Sequence, residues 1–149
     1  MGEERKVRYA STTRRIPLAD GQVSVGECRD RTAEVLEEWF GRDGSARRAA
    51  VDDVLLLVSE VVTNAHTHGG TPYELLLQRS GDRLWVQVSD TSPVPPRPHG
   101  RHRAGHPSGH GLYLVERLAD AWGSVPRGDG KVVWFELSVV GVPDRRPSG

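Results

Sequence analysis

Apolar residues recur at helical spacing in two stretches of the first half of the chain. The first stretch begins after Ser24 and ends at Gly41, and Glu27 stands where a capping box needs it. The second begins at Ser45, a suitable N-cap residue, and runs to His68. Its apolar positions are Val51, Val54, Leu55, Val58, Val61, Val62 and Ala65, widened by Leu56 and Leu57. So wide a stripe predicts a helix that is buried on most sides.

The apolar period changes to two after residue 72, which indicates strands. Along residues 73–77, apolar side chains alternate with side chains that are polar or lie on the other face of the strand. Residues 84–90 show the same alternation. The turn residues Ser80-Gly81-Asp82 lie between the two runs. The pattern therefore predicts a β-hairpin.

The remaining segments complete the order strand, helix, helix, strand, strand, helix, strand, strand. An edge strand is expected near residues 7–18, and a third helix over residues 112–122 with Gly123 as its stop. The last strand follows a turn at residues 128–130. Helices segregated from such a sheet define an α+β two-layer sandwich. We expect a mixed, mostly antiparallel sheet with the helices on one face.

Length and composition restrict the classes of protein to which the chain can belong. Its 149 residues suit a single domain over residues 1–149, with a core at about 14–140. Twenty Lys and Arg residues balance twenty Asp and Glu residues. This balance argues against a positive electrostatic potential that would attract nucleic acid, and against a basic membrane anchor. The single cysteine excludes an internal disulfide and a thiolate zinc site. Neither a membrane span nor a signal peptide is visible, so a cytoplasmic protein is expected.

Residues 91–110 differ in composition from the rest of the chain. They contain five of the ten prolines, four of the six histidines and no acidic residue. Long irregular loops inside a compact domain usually have a function, so we expect a lid over a binding site. A metal cluster is disfavoured, since His66 and His68 lie two apart on a helix and face different directions. Trp85, Trp122 and Trp134 fall on expected core positions.

The second predicted helix carries polar residues on the side opposite its apolar stripe. Glu60 and Asn64 are one turn apart, and Thr67 and His68 continue this side. Burying a carboxylate and an amide without partners is costly, so a metal or a polar ligand would satisfy them. The Asn64 oxygen could ligate Mg²⁺, and the Glu60 carboxylate could take a proton from an attacking hydroxyl or water. A solvated polar surface explains the same residues, and both interpretations stay open.

Two further segments have the chemistry of a nucleotide site. Asp90 ends a strand beside the lid, where it could accept a hydrogen bond from an exocyclic amine such as that of adenine, or form an Asx turn. The run from Gly105 to Leu112 leads into a helix, and its glycines would let backbone N–H groups approach a phosphate. A flexible loop before an ordinary helix fits that run equally well. The sequence contains neither a P-loop nor a Rossmann glycine motif.

In this order, the segments resemble a known family. LLLVSEVVTNAHTHGG resembles the N-box of the GHKL, or Bergerat-fold, ATPases, Asp90 stands where their adenine-binding aspartate would be, and residues 109–112 resemble their second glycine box. Further stretches are similar to the small bacterial anti-sigma-factor serine kinases of the histidine-kinase-like ATPase superfamily. Those stretches are RIPLADGQVSVGECRDRTAEVLEEW, VSDTSPVPP, LVERLADAWG and GKVVWFEL.

The resemblance implies a site for ATP and Mg²⁺ and suggests a role for each matching residue. Glu60 matches the N-box glutamate, the candidate general base, and Asn64 matches the asparagine that holds Mg²⁺ against the triphosphate. Asp90 matches the aspartate that reads adenine. The other ATP-binding candidates are His68 and, in the glycine-rich segment, Gly105, Gly109, His110, Gly111 and Leu112.

The resemblance also implies protein partners. Such family members bind a sigma factor, phosphorylate a serine of an anti-anti-sigma protein of the STAS type, and are usually dimers. We therefore expect an ATP-binding anti-sigma factor with serine kinase activity, which could form a homodimer. A nucleotide-sensing or sigma-factor-binding module without catalysis is the alternative. A gyrase-type or chaperone-type ATPase and a sensor histidine kinase are not expected, because their added domains exceed this length.

Two positions depart from the family's pattern. The first glycine box, normally Asp-x-Gly-x-Gly, reads Asp90-Thr-Ser-Pro-Val, so both glycines are absent and prolines occupy the expected hinge of the lid. His110 stands where arginine is frequent, and a neutral imidazole contacts phosphate more weakly than a guanidinium does. Both differences bear on the rate of catalysis more than on nucleotide binding.

Overall fold

The computed structural model describes residues 11–42, 44–68, 70–96 and 110–139, which contain five strands and three α-helices. The strands are β1 (Ser11–Pro17), β2 (Pro72–Ser80), β3 (Arg83–Asp90), β4 (Ala121–Arg127) and β5 (Gly130–Ser138). The helices are α1 (Val25–Phe40), α2 (Ser45–Thr67) and α3 (His110–Leu118), with a 3-10 turn at Ala19–Gly21. None of the helices in these ranges is long and apolar enough to cross a bilayer.

The five strands form one sheet in the order β1-β2-β3-β5-β4, and every pairing is antiparallel. β2 and β3 form the expected hairpin around Gly81, whose φ of 63° favours glycine. β4 and β5 form a second hairpin around Gly128, and β1 lies at a sheet edge, as expected. The α+β two-layer fold class is confirmed, and the described strands contain no parallel pair.

One face of the sheet packs against the helices and forms the core. Leu75 pairs with Val88, and Val88 pairs with Val133, so these three side chains point to the same face. Leu57 of α2 and Cys28 of α1 are fully buried against this face. Burial raises the pKa of the Cys28 thiol, because the charged thiolate loses its hydration inside the core.

The two long helices begin in different ways. Ser24 caps α1 as expected: its Oγ accepts from the Glu27 N–H at 3.0 Å, and the Glu27 carboxylate accepts from the Ser24 N–H at 3.3 Å. α2 has Gly44 at its N-cap position, and no side chain caps it. Ser45 is therefore the first helical residue and not the cap, contrary to expectation. The φ of 91° at Gly44 is one that glycine adopts readily.

The third helix ends earlier than the apolar pattern suggests. α3 ends at Leu118, while Trp122 and Gly123 belong to β4. The chain leaves the helix where the Asp120 N–H donates to Glu136 O at 2.9 Å. This hydrogen bond lies at the start of the β4–β5 pairing. The expectation of a helix through Trp122 is wrong, because this side chain packs against the same core from a strand.

The three tryptophans that lie on strands divide between the two faces of the sheet. Trp122 packs against the core, as expected. Trp85 alternates along β3 with core residues, so it lies on the opposite face, where it stacks on Trp134 with ring centroids 4.4 Å apart. The expectation of core packing is therefore wrong for these two residues, which pack against each other.

Candidate functional site

One end of the sheet collects the polar residues that the sequence singles out. Pro72, Asp90 and Lys131 are neighbours there across β2, β3 and β5, and we call this the Asp90 end. α2 also ends there, since only residues 68–71 separate its last residue from Pro72. The end of α2 and Asp90 are far apart in the sequence and therefore come together only in the fold.

The last two turns of α2 carry the candidate base and metal ligand. Glu60 and Asn64 are half-buried, and their side chains have no hydrogen-bond or ion-pair partner among the described residues. His68 is exposed and follows the helix, where its backbone N–H donates to Asn64 O at 3.1 Å. Val61 and Ala65 face the core on the other side. The half-buried, unpartnered pair suits a surface that a polar ligand covers.

Hydrogen bonds fix the segment after α2 against the end of β3. The Thr71 N–H donates to Thr91 Oγ1 at 3.0 Å, and the Thr91 N–H donates to Thr71 O at 3.2 Å. Gly70 passes so close to Asp90 that an added Cβ atom would lie 2.9 Å from both Asp90 Oδ1 and Ser92 Cβ. This close approach therefore requires glycine.

Asp90 is 1% exposed, and its two carboxylate oxygens have different environments. Oδ1 accepts from the Ser92 N–H at 2.7 Å and from Lys131 Nζ at 3.1 Å. Oδ2 is buried and has no partner among the described residues. The Asx turn, one of the two sequence interpretations, is therefore present but uses only Oδ1. An exocyclic amine would satisfy Oδ2, so the site fits the base of a nucleotide.

Lys131 is a residue of this site that sequence reasoning missed. It is 6% exposed, and its ammonium also donates to Ser92 O at 3.3 Å. A signal was available, because Lys131 is in phase with the core residues Val133 and Phe135 along β5. A lysine in such a position is buried and needs a partner. Only the β3–β5 register identifies the partner as Asp90.

Side-chain hydrogen bonds shape the chain that follows Asp90. Ser92 is 8% exposed, and its Oγ accepts from the Val94 N–H at 3.2 Å. The altered first glycine box is thus a turn held by its own side chains. The candidates Gly105 and Gly109, and most of the expected lid, lie outside the described residues.

Residues 110–112 of the second glycine box form the first turn of α3. This agrees with the expectation that the box leads into a helix, and its side chains lie outside the described part of the chain. α3 packs against α2, and Val115 is fully buried at that contact. The helix that follows the glycine box is therefore a neighbour of the helix that carries Glu60 and Asn64.

The donors at the Asp90 end fit Mg²⁺ that phosphate oxygens help to hold. Among the described residues, no three His, Cys, Asp or Glu side chains form a metal cluster. Mg²⁺ commonly takes one or two protein oxygens and completes its shell with water and phosphate. The unpartnered amide of Asn64 can supply one such oxygen.

The fold and the Asp90 end define the class of protein to which the chain belongs. The family model described as histidine kinase-like ATPase domain matches residues 24–137. The match spans more than half of the chain, and the chain belongs to this family. The family is one of ATP-binding domains that typically use Mg²⁺, which agrees with the expected nucleotide.

The solved structures similar to this chain include two of the Erythrobacter litoralis EL346 blue-light activated histidine kinase. Its histidine kinase domain is 22% identical with a TM-score of 0.47, and the match covers 80% of this chain and 63% of that one. The other structure is 24% identical with a TM-score of 0.47, and the match covers 83% of this chain and 42% of that one. This chain therefore spans less than two thirds of either. No curated protein matches it.

Proposed function

We propose that the protein binds ATP and Mg²⁺ at the Asp90 end and uses them to regulate partner proteins. The observation that carries this proposal is the unpartnered Asp90 Oδ2, since a buried acceptor without a donor is costly and adenine supplies one. The family membership of the chain supports the same nucleotide. A serine of a STAS-type anti-anti-sigma protein is the proposed phosphoryl acceptor, and a sigma factor is the proposed second partner.

The proposed transfer assigns a task to each residue near the end of α2. The serine oxygen of the partner attacks the γ-phosphorus, the bond from that phosphorus to the bridging oxygen breaks, and ADP leaves with the electron pair. Glu60, which has no described partner, accepts the hydroxyl proton. Asn64 would hold Mg²⁺, and the metal would offset phosphate charge. Asp90 positions the adenine and thereby orients the triphosphate.

A regulatory module without catalysis is the second candidate. The turn after Asp90 favours it, because this turn has two side-chain hydrogen bonds and neighbouring prolines and lacks both glycines of the family's box. Such a segment has fewer accessible conformations than a glycine-rich hinge, which would hinder closure over the γ-phosphate. Adenine binding at Asp90 would remain. This candidate therefore binds partners in a nucleotide-dependent manner but transfers no phosphate.

Incubation with γ-labelled ATP, Mg²⁺ and STAS-type proteins distinguishes the two candidates. Label on a serine of the partner supports the kinase. ATP-dependent capture of a sigma factor or STAS-type protein without label supports the module. Failure of the protein to bind ATP would contradict both.

Glu60→Gln tests the proposed general base. The amide cannot accept the serine proton, so transfer should fall by about 10²–10⁴-fold while ATP affinity, measured by calorimetry, stays unchanged. Glu34→Gln changes an exposed glutamate of α1 and should transfer at the wild-type rate. Wild-type transfer by Glu60→Gln would remove Glu60 from the mechanism.

A further inference from the structure

Lys131 is a buried cation beside Asp90, the residue to which the proposed function assigns adenine. In the sheet register, it pairs directly with Asp90 across β3 and β5. The neighbouring Gly130 lies so close that an added Cβ atom would overlap the Asp90 carbonyl oxygen. The backbone of the sheet therefore holds the ammonium beside the carboxylate, with only 7% of the lysine side chain exposed.

The described residues leave one donor and one acceptor of this pair without a hydrogen-bond partner. An ammonium has three N–H donors, and Lys131 uses two, toward Asp90 Oδ1 and Ser92 O. Asp90 in turn keeps Oδ2 without a partner. Buried charges are stable only when their remaining hydrogen-bond donors and acceptors also have partners. The pair thus offers one acceptor and one donor to a ligand in the same pocket.

We propose that Lys131 is a specificity-determining residue of the nucleotide site, which donates to a ring nitrogen of adenine while Asp90 Oδ2 accepts from the exocyclic amine. This inference rests on the proposed ATP binding and adds a second contact to the base. Adenine suits it, because its amine has ring-nitrogen acceptors, N1 and N7, on either side. Hypoxanthine carries an oxygen in place of the amine and would set two acceptors against each other at Oδ2.

The pattern of contacts favours a base-reading lysine over one that fills the adenine space. Lys131 pairs with Oδ1, the oxygen that the Ser92 N–H already occupies, and leaves Oδ2 unused. A lysine that replaced the base would be expected to satisfy Oδ2 itself. Ser92 O further anchors the ammonium on the side of the turn.

The test combines Lys131→Met with base analogues of ATP, and calorimetry with Mg²⁺ gives the dissociation constants. 1-Deaza-ATP and 7-deaza-ATP each lack one ring nitrogen. One of them should bind the wild-type protein about tenfold more weakly than ATP, because a hydrogen bond to a charged donor is lost. Lys131→Met should bind ATP about tenfold more weakly and no longer distinguish that analogue from ATP.

Each other outcome overturns the inference in a recognisable way. Equal wild-type affinity for ATP and both analogues would remove Lys131 from base recognition and leave ATP binding intact. Tighter ATP binding by Lys131→Met would show that Lys131 obstructs the pocket. A wild-type protein that binds no ATP would overturn the proposed function as well.

Controls separate base recognition from folding. Arg127→Met removes an exposed cation from the same β4–β5 hairpin and should change no affinity. ITP should bind more weakly than ATP in both wild type and Lys131→Met, since its O6 faces Asp90 Oδ2 as a second acceptor in either protein. If Lys131→Met does not fold by circular dichroism, Lys131→Gln keeps an N–H donor without the charge and should show a reduced analogue penalty. The wild-type analogue comparison depends on no variant.

Discussion

The two oxygens of the Asp90 carboxylate differ: one has a structural role, and the other is the proposed contact to a ligand. Oδ1 closes the turn to Ser92 and pairs with Lys131, while Oδ2 is buried without a partner among the described residues. The strand-end position alone suggested either an Asx turn or an amine acceptor. Both interpretations fit, because the two oxygens of the group act separately.

Gly70→Ala should destabilise the protein by about 1–3 kcal/mol and weaken ATP binding. The new Cβ atom would be 2.9 Å from Asp90 Oδ1 and from Ser92 Cβ, neither of which is the far end of a long, flexible side chain. Urea unfolding and calorimetry measure the two effects. Gly26→Ala is the control, since an added Cβ atom there would lie 3.9 Å from the nearest side-chain atoms and alanine favours the helix. Wild-type stability and affinity in Gly70→Ala would contradict this packing.

At the scale of the element, a helix boundary set by near neighbours is easier to predict than one set by pairing with a distant strand. The Ser24 capping box lies within four consecutive residues and is found as expected. The end of α3 depends instead on the pairing of β4 with β5, which are adjacent only in the folded sheet. Trp122 therefore suits a helix in the sequence and a strand in the structure.

Ser24→Ala should lower the free energy of unfolding by about 1 kcal/mol, because the first turn of α1 loses its side-chain cap. Ser45→Ala should change it by less than about 0.5 kcal/mol, since no side chain caps α2. Denaturant melts of the two variants under the same conditions give the comparison. Equal losses would mean that Ser45 also acts as a cap.

At the scale of the whole molecule, the sheet and α2 bring sequence-distant polar groups to one end. The end of α2 meets Asp90 through the paired hydrogen bonds of Thr71 and Thr91. α3, which follows the second glycine box, packs along α2. The described parts of the predicted nucleotide site therefore belong to neighbouring elements of the fold.

Saturating ATP with Mg²⁺ should stabilise the whole fold, by about 2.7 kcal/mol when the ligand is at 100 times its Kd. Thermal melts with ATP alone and with ATP plus Mg²⁺ measure the two contributions. Asn64→Ala should keep the shift caused by ATP alone and lose the increment caused by Mg²⁺, because the amide ligand is absent. Thr63→Ala, at an exposed neighbouring position, should keep both. An undiminished Mg²⁺ increment in Asn64→Ala would exclude Asn64 as a ligand.

The sequence by itself determined the features that depend on near neighbours. Helical and alternating periods locate most elements, the spacing of Glu60 and Asn64 places them on one side of α2, and Asp90 is recognisable at a strand end. These features follow from backbone geometry, which repeats over a few residues.

Only the tertiary structure decided which distant groups meet. The β3–β5 register pairs Lys131 with Asp90, and the path after α2 makes Gly70 necessary. No short window of sequence contains both partners of either contact. Burial then makes these contacts important, because inside the fold a charged group must find its partners in the protein or in a ligand instead of in water.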